Sequence, residues 1–210
     1  MLVKDVMHID VATVPSGAPL AEAFRLTRQR GIRHLPVVDD GVLVGIVSDR
    51  DLKRALPPRA SRVEVLAPEF AAMPVERIMT RTVITTGPTV SVEEAGRVMV
   101  NEKISALPVT EGGRLIGIVT ETDVVALLVR ALGAAEPSSR LEVVFSPAGS
   151  ALAEIVRTVE AAGVSIVSIV TLAVSDGSRE AILRIATIDP RRAVAALEAK
   201  GYGVRGAYRE

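Results

Sequence analysis

Gly45-Ile46-Val47-Ser48-Asp49-Arg50-Asp51 returns 72 residues later as Gly117-Ile118-Val119-Thr120-Glu121-Thr122-Asp123. In both stretches a β-rich run ends on Ser or Thr, and an Asp stands three positions further on. That is how a strand hands over to a helix. The hydroxyl accepts an orphan backbone N–H, and the acid suits the positive end of the helix by about 0.3–1 kcal/mol. Outward from this junction the same offset holds across Val3–Leu52 and Val75–Val124, where 17 of 50 aligned pairs are identical. The identities include Met7/Met79, Thr13/Thr85, Leu35-Pro36-Val37/Leu107-Pro108-Val109, Gly41/Gly113 and Asp51/Asp123. A repeat of this kind is one supersecondary unit that buries its apolar face against its own copy. The cleft between copies is where a ligand is to be sought.

Each copy reads strand, helix, strand, strand, helix. In copy one, Val11–Val14 is the first strand, and Leu20, Ala23, Phe24 and Thr27 form a helix face that ends near Gly31. Leu35–Val38 and Leu43–Val47 are strands joined by Asp39-Asp40-Gly41, a hairpin signal, and a helix opens at Ser48. Copy two has Val83–Thr86, a Val92–Glu102 helix, Leu107–Thr110, a Glu111-Gly112-Gly113 turn, Leu115–Val119 and a helix from Thr120 towards Gly133. Ser91 and Glu94 make a capping box, and Pro19 suits the opening turn at the equivalent place. The expected domains are 1–58 and 75–133, with a linker over 59–74 in which Val63, Leu66, Ala67 and Phe70 suggest helical turns.

After a linker at Gly133–Ser139 comes a third unit over 140–210. Leu141–Phe145 reads as a strand, and Leu152, Ile155, Val156 and Val159 as a helix stripe closed by Gly163. The strands Val164–Val174 and Ala181–Thr187 flank a turn at Ser175-Asp176-Gly177-Ser178. Asp189 caps a helix with Pro190 at its first position, Gly201 ends it, and a strand follows around Tyr202–Tyr208. The order βαββαβ is the ferredoxin-like arrangement, so the fold class is α+β.

Composition narrows the function. Half the residues are apolar (49%), 24% are charged, and aromatics are nearly absent, so the core is aliphatic. Lys plus Arg and Asp plus Glu balance at 25 each, which argues against nucleic acid or an anionic lipid surface as partner. The chain has no Cys, and its longest uncharged run, Ala161–Ser175, is too short for a bilayer. The reading is a soluble protein of the cytoplasm. Gly201–Gly206 spells G-x-G-x-x-G but follows a helix, and Gly112–Gly117 lacks the Lys of a phosphate loop. No nucleophile–base set stands out and no His or Cys cluster could hold a catalytic metal, so the chain does not read as an enzyme.

The paired pattern Gly-Ile-Arg-His-Leu-Pro-Val-Val-Asp … Gly-Ile-Val-Ser-Asp-Arg-Asp-Leu, preceded by Val-Met-x(5)-Thr, resembles the CBS (cystathionine β-synthase) domain, whose tandem pairs are called Bateman modules. The resemblance covers residues 1–132 and implies clefts that bind adenine nucleotides (AMP, ADP or ATP) or S-adenosylmethionine. It implies that Asp51 and Asp123 bind ribose and that Ser48 and Thr120 sit near phosphate. Thr13, Ile46, Pro36, Thr85, Ile118 and Pro108 line the same clefts, with the residues before each Pro: Arg33 and His34 in copy one, Ser105 in copy two. A guanidinium matches phosphate oxygens as a serine cannot, which assigns the more phosphorylated ligand to the site with Arg33, His34, Ser48 and Asp51. Arg33 also reads as an exposed strand-end cation, and His34 as either a satisfied polar residue or a pH-sensitive phosphate contact.

The third unit resembles an ACT domain, and two CBS copies followed by ACT resemble the AcuB-type proteins associated with acetoin utilisation. In the loop Ser146–Leu152, Ala148 intervenes where amino-acid-binding ACT members carry Gly directly after Pro. A dimer-forming unit is then as open as an amino-acid site. The resemblance therefore implies a regulatory adenine-nucleotide sensor and homodimer with a regulated protein partner. It requires no cofactor, although Mg could accompany the nucleotide. A structural assembly protein without ligand is the alternative, as is an S-adenosylmethionine-binding module.

Overall fold

The structure is a computed structural model that describes residues 1–55, 68–146, 151–175 and 177–209. Val63, Leu66, Ala67, Pro147, Ala148 and Asp176 lie outside the described residues. The chain forms two compact units, Met1–Val124 and Val125–Glu210, each with its own sheet.

In the first unit, α1 (Leu20–Arg30) ends on Gly31 in the left-handed region, and β1 (His34–Asp39) and β2 (Val42–Ser48) form a hairpin. Its two loop residues, Asp40 and Gly41, both have positive φ, as the primed turn that matches strand twist requires. Helices α2 (Asp49–Ala55) and α3 (Pro68–Ala71) follow. Copy two repeats the scheme with α4 (Val92–Glu102), β3 (Ala106–Glu111), β4 (Arg114–Thr120) and α5 (Glu121–Ala131). The four strands make one sheet in the order β1-β2-β4-β3, joined at its middle by the pair Val42 and Arg114.

The leading strands expected at Val11–Val14 and Val83–Thr86 shrink to single parallel bridges, Val14 with Val37 and Thr86 with Val109. Proline is the cause. Val14 N–H donates to Pro36 O (3.2 Å) and Val38 N–H to Val14 O (2.9 Å). The next rung of a parallel ladder needs an N–H from Pro36, which has none. Pro108 cuts the second ladder in the same way.

The two cores do not follow the repeat boundaries. Val3 is fully buried with Ala95, Met99, Leu107, Val109 and Val119, all from copy two. Val75 and Met79 are buried with Val14, Leu20, Phe24, Leu35, Val47 and Leu52 of copy one. Each leading segment thus packs on the other copy. Hydrogen bonds follow suit: His8 and Ile118 exchange two (2.9 and 3.0 Å), as do Thr80 and Ile46 (2.9 and 3.0 Å). Gly117 and Gly45 admit Met7 and Met79 at these crossings, since a Cβ on either would stand 2.6 or 2.4 Å from the sulfur.

The second unit runs β5 (Ser139–Phe145), α6 (Ala151–Ala161), β6 (Ile166–Ala173), β7 (Arg179–Ile185), α7 (Arg191–Ala199) and β8 (Gly203–Arg209). Its sheet is antiparallel throughout, in the order β6-β7-β5-β8. Leu141, Val143 and Phe145 alternate inward and meet Leu183, Ile185, Ile155, Val159 and Leu197. Leu152, placed on the buried stripe by spacing, is exposed. Ser138 and Ser139, read as linker, are buried. Ser139 Oγ donates to Thr187 O (2.7 Å) and Arg184 Nη1 to Ser138 Oγ (3.0 Å), so their polarity is satisfied inside the fold. Asp189 accepts from Arg191 N–H (3.2 Å) as a cap, with Pro190 one place earlier than expected.

Candidate functional site

Each strand-to-helix junction closes on itself. Ser48 N–H and Oγ–H both donate to Asp51 Oδ2 (2.9 and 2.5 Å), while Asp51 N–H donates to Ser48 Oγ (3.2 Å). Thr120 and Asp123 repeat this at 2.8, 2.7 and 3.4 Å. The cap fixes each carboxylate through one oxygen and leaves Oδ1 for other work. Asp51 Oδ1 has no partner among the described residues, and no buried side-chain oxygen among them lacks one, so Oδ1 faces solvent. Asp123 Oδ1 accepts from His8 Nε2 at 2.9 Å.

Two cavities flank these caps within the first unit. The first, about 820 Å³, is lined by Arg33, His34, Ile46, Ser48 and Asp51, by the leading segment of copy two (Thr80, Thr82, Val83, Ile84), and by Lys103, Ser105 and Pro108. The second, about 280 Å³, is lined by His8, Asp10, Val11 and Ala12, by Arg33 and His34 again, and by Ile118, Thr120 and Thr122. The ladders that Pro36 and Pro108 cut short expose these leading residues to the cavities.

The sequence-derived residues divide accordingly. Arg33 and His34 border both cavities; Ile46, Ser48, Asp51, Ser105 and Pro108 border the first; Ile118 and Thr120 border the second. Asp123 is not among the residues lining the second but is bonded to two that are, Thr120 and His8. Thr13 and Thr85, chosen from the motif, are exposed and line neither cavity. The residues three positions earlier, Asp10 and Thr82, take their place. Pro36 is buried in β1 and contributes only its carbonyl, to Val14.

The first cavity carries charges of both signs, its acids being Asp51, Glu121 and Asp49, the last paired with Lys53 at 2.7 Å. Arg33, Arg50 and Lys103 line it, and none has an acidic partner among the described residues. Arg33 makes only a long contact, 3.5 Å, to Thr122 Oγ1. Lys103 takes the left-handed cap of α4 (φ 55°), where copy one has Gly31, a costly conformation for a side-chain residue. That misplaced lysine was a readable signal that spacing arguments missed. His34 is held by Ser105 Oγ (3.0 Å), and burial, then Arg33, lowers its pKa below the ordinary 6.5. Its ring stays neutral at neutral pH, so the charge comes from its neighbours. Among the described residues no group of three or more His, Cys, Asp or Glu could hold a metal ion. No described helix is long and apolar enough to cross a membrane.

The CBS domain family matches residues 3–58 and 75–130. Homoserine O-acetyltransferase of Methanohalobium evestigatum is 34% identical over 128 residues, 60% of this chain but only 24% of the relative, so the chain spans about a quarter of that protein. The solved CBS domain pair of protein MJ0100, in complex with 5'-methylthioadenosine and S-adenosyl-L-methionine, is 32% identical with a TM-score of 0.54, over 65% of this chain and 98% of that one. A putative acetoin utilization protein (AcuB) from Vibrio cholerae matches at 30% identity and TM-score 0.54, over 63% and 93%. CBSX2 in complex with AMP matches at 28% identity and TM-score 0.52, over 61% and 96%. With both repeats matched over more than half its length, the chain belongs to the CBS-domain family as a tandem pair.

Proposed function

We propose that this chain is a regulatory binding protein whose repeat pair takes an adenosine-based ligand, with a nucleotide phosphate in the first cavity. The observation that carries the reading is Asp51. Its cap holds one carboxylate oxygen and leaves the other open beside a cavity of about 820 Å³, lined by three cations that have no acidic partner among the described residues as well as by Asp49 and Glu121. A fixed carboxylate accepts both hydroxyls of a ribose diol, each bond to a charged group being worth about 1.5–3 kcal/mol. The solved CBS pairs holding AMP, 5'-methylthioadenosine and S-adenosyl-L-methionine support the adenosine class. Nucleotides with more phosphates, with or without Mg, belong to the first cavity on the same grounds.

The domains of this reading are 1–58, 75–133 and 140–210. The last, with its βαββαβ order, is an ACT-like unit that supplies dimerisation or a second effector site. Ligand acts by population shift, through its differential affinity for two arrangements of the repeat pair. The test is calorimetric titration of the whole chain with AMP, ADP, ATP and S-adenosylmethionine. Asp51→Ala is expected to cost tenfold or more in nucleotide affinity, and more than Asp123→Ala. Stronger binding after Asp51→Ala than after Asp123→Ala contradicts the assignment. Heat from none of the four ligands leaves a scaffold without ligand.

A further inference from the structure

The two cavities differ at one equivalent position. His8 and Thr80 stand 72 residues apart, and each makes the same two-bond bridge to the other copy, His8 with Ile118 and Thr80 with Ile46. Both line the cavity beside the facing cap. Thr80 makes no side-chain bond among the described residues, whereas His8 Nε2 donates to Asp123 Oδ1 at 2.9 Å. Thr120 already fills Oδ2 of Asp123 with two hydrogen bonds. Both oxygens of Asp123 are therefore engaged, while Asp51 keeps one open.

We propose that His8 is a specificity-determining residue that holds the Asp123 carboxylate against vicinal-diol ligands, so that the first cavity fills before the second. This rests on the reading of the cavities as adenosine-ligand sites. A diol entering the first cavity meets a free oxygen. One entering the second must first displace an imidazole. Because the His8 side chain is 65% exposed, its bond is exchangeable: it lowers affinity without closing the cavity.

The repeat supplies its own control, since Thr80 shows what the position looks like without the latch. In a full chain carrying Asp51→Asn, which isolates the second cavity, adding His8→Thr tightens AMP binding about two- to fivefold by calorimetry, the range of an exposed ion pair. Conversely, Thr80→His in a chain carrying Asp123→Asn weakens the first cavity by a similar factor. An unchanged or weaker second-cavity constant after His8→Thr overturns the proposal. A ligand-free measurement stands beside it: the ¹⁵N signals of the His8 imidazole move on Asp123→Ala, and unmoved signals overturn the latch even if a variant binds nothing. Absence of AMP heat in the parent chain and every variant, with those signals moving, instead overturns the adenosine reading.

Discussion

Met79 over Gly45 and Met7 over Gly117 are contacts that leave no room for a methyl group. A Cβ on Gly45 meets Met79 Sδ at 2.4 Å and Cγ at 2.9 Å, with Thr80 O at 3.2 Å behind. Gly45→Ala is expected to cost about 1–3 kcal/mol by overpacking, measured by urea unfolding. Adding Met79→Ala recovers part of that loss, and a double-mutant cycle reports the coupling. His34 yields a pH prediction. Burial lowers its folded pKa below 6.5, so the folded state prefers the neutral ring. The associated stability is whole above the unfolded value and is lost as pH falls through the folded one. Denaturation midpoints of the parent chain should therefore drop more steeply on acidification than those of His34→Gln. These four Met and Gly positions were legible as repeat identities, but their partnership was not. Aligning two copies shows which residues are equivalent, and here the equivalent residues touch across the pair instead of within each copy.

Helix ends followed the sequence closely where the chemistry is local. Ser91 Oγ accepts from Glu94 N–H at 3.1 Å, the first half of the expected capping box. The return half is missing because Glu94 turns to Arg97, at 2.8 and 2.5 Å. Ser91→Ala is expected to destabilise by about 1 kcal/mol, read from thermal or urea unfolding. Glu94→Gln should leave stability nearly unchanged, because its exposed pair with Arg97 is screened by water. The leading strands were the weak point of the sequence reading. Val11–Val14 and Val83–Thr86 have the β-branched composition of strands, but a proline in the partner strand decides how many rungs they form. Near the same ladder end, the cavities are lined by Asp10 and Thr82 in place of Thr13 and Thr85.

At the scale of the repeat pair, neither core is complete without the opposite copy's first residues. Val3, with no exposed surface, lies among Ala95, Met99 and Leu107. Val3→Ala should cost about 2 kcal/mol, and deleting residues 1–8 should cost more, with loss of a cooperative urea transition. Circular dichroism of residues 75–133 expressed alone should show little native structure, restored in part by a peptide of residues 1–8. The crossed leading segments also say something about ancestry. A polypeptide bearing one such repeat could seal its interior only by borrowing an opening stretch from a twin, and that loan would fail on dilution. Tying the twins into one string makes the loan permanent, because the lender is always within reach.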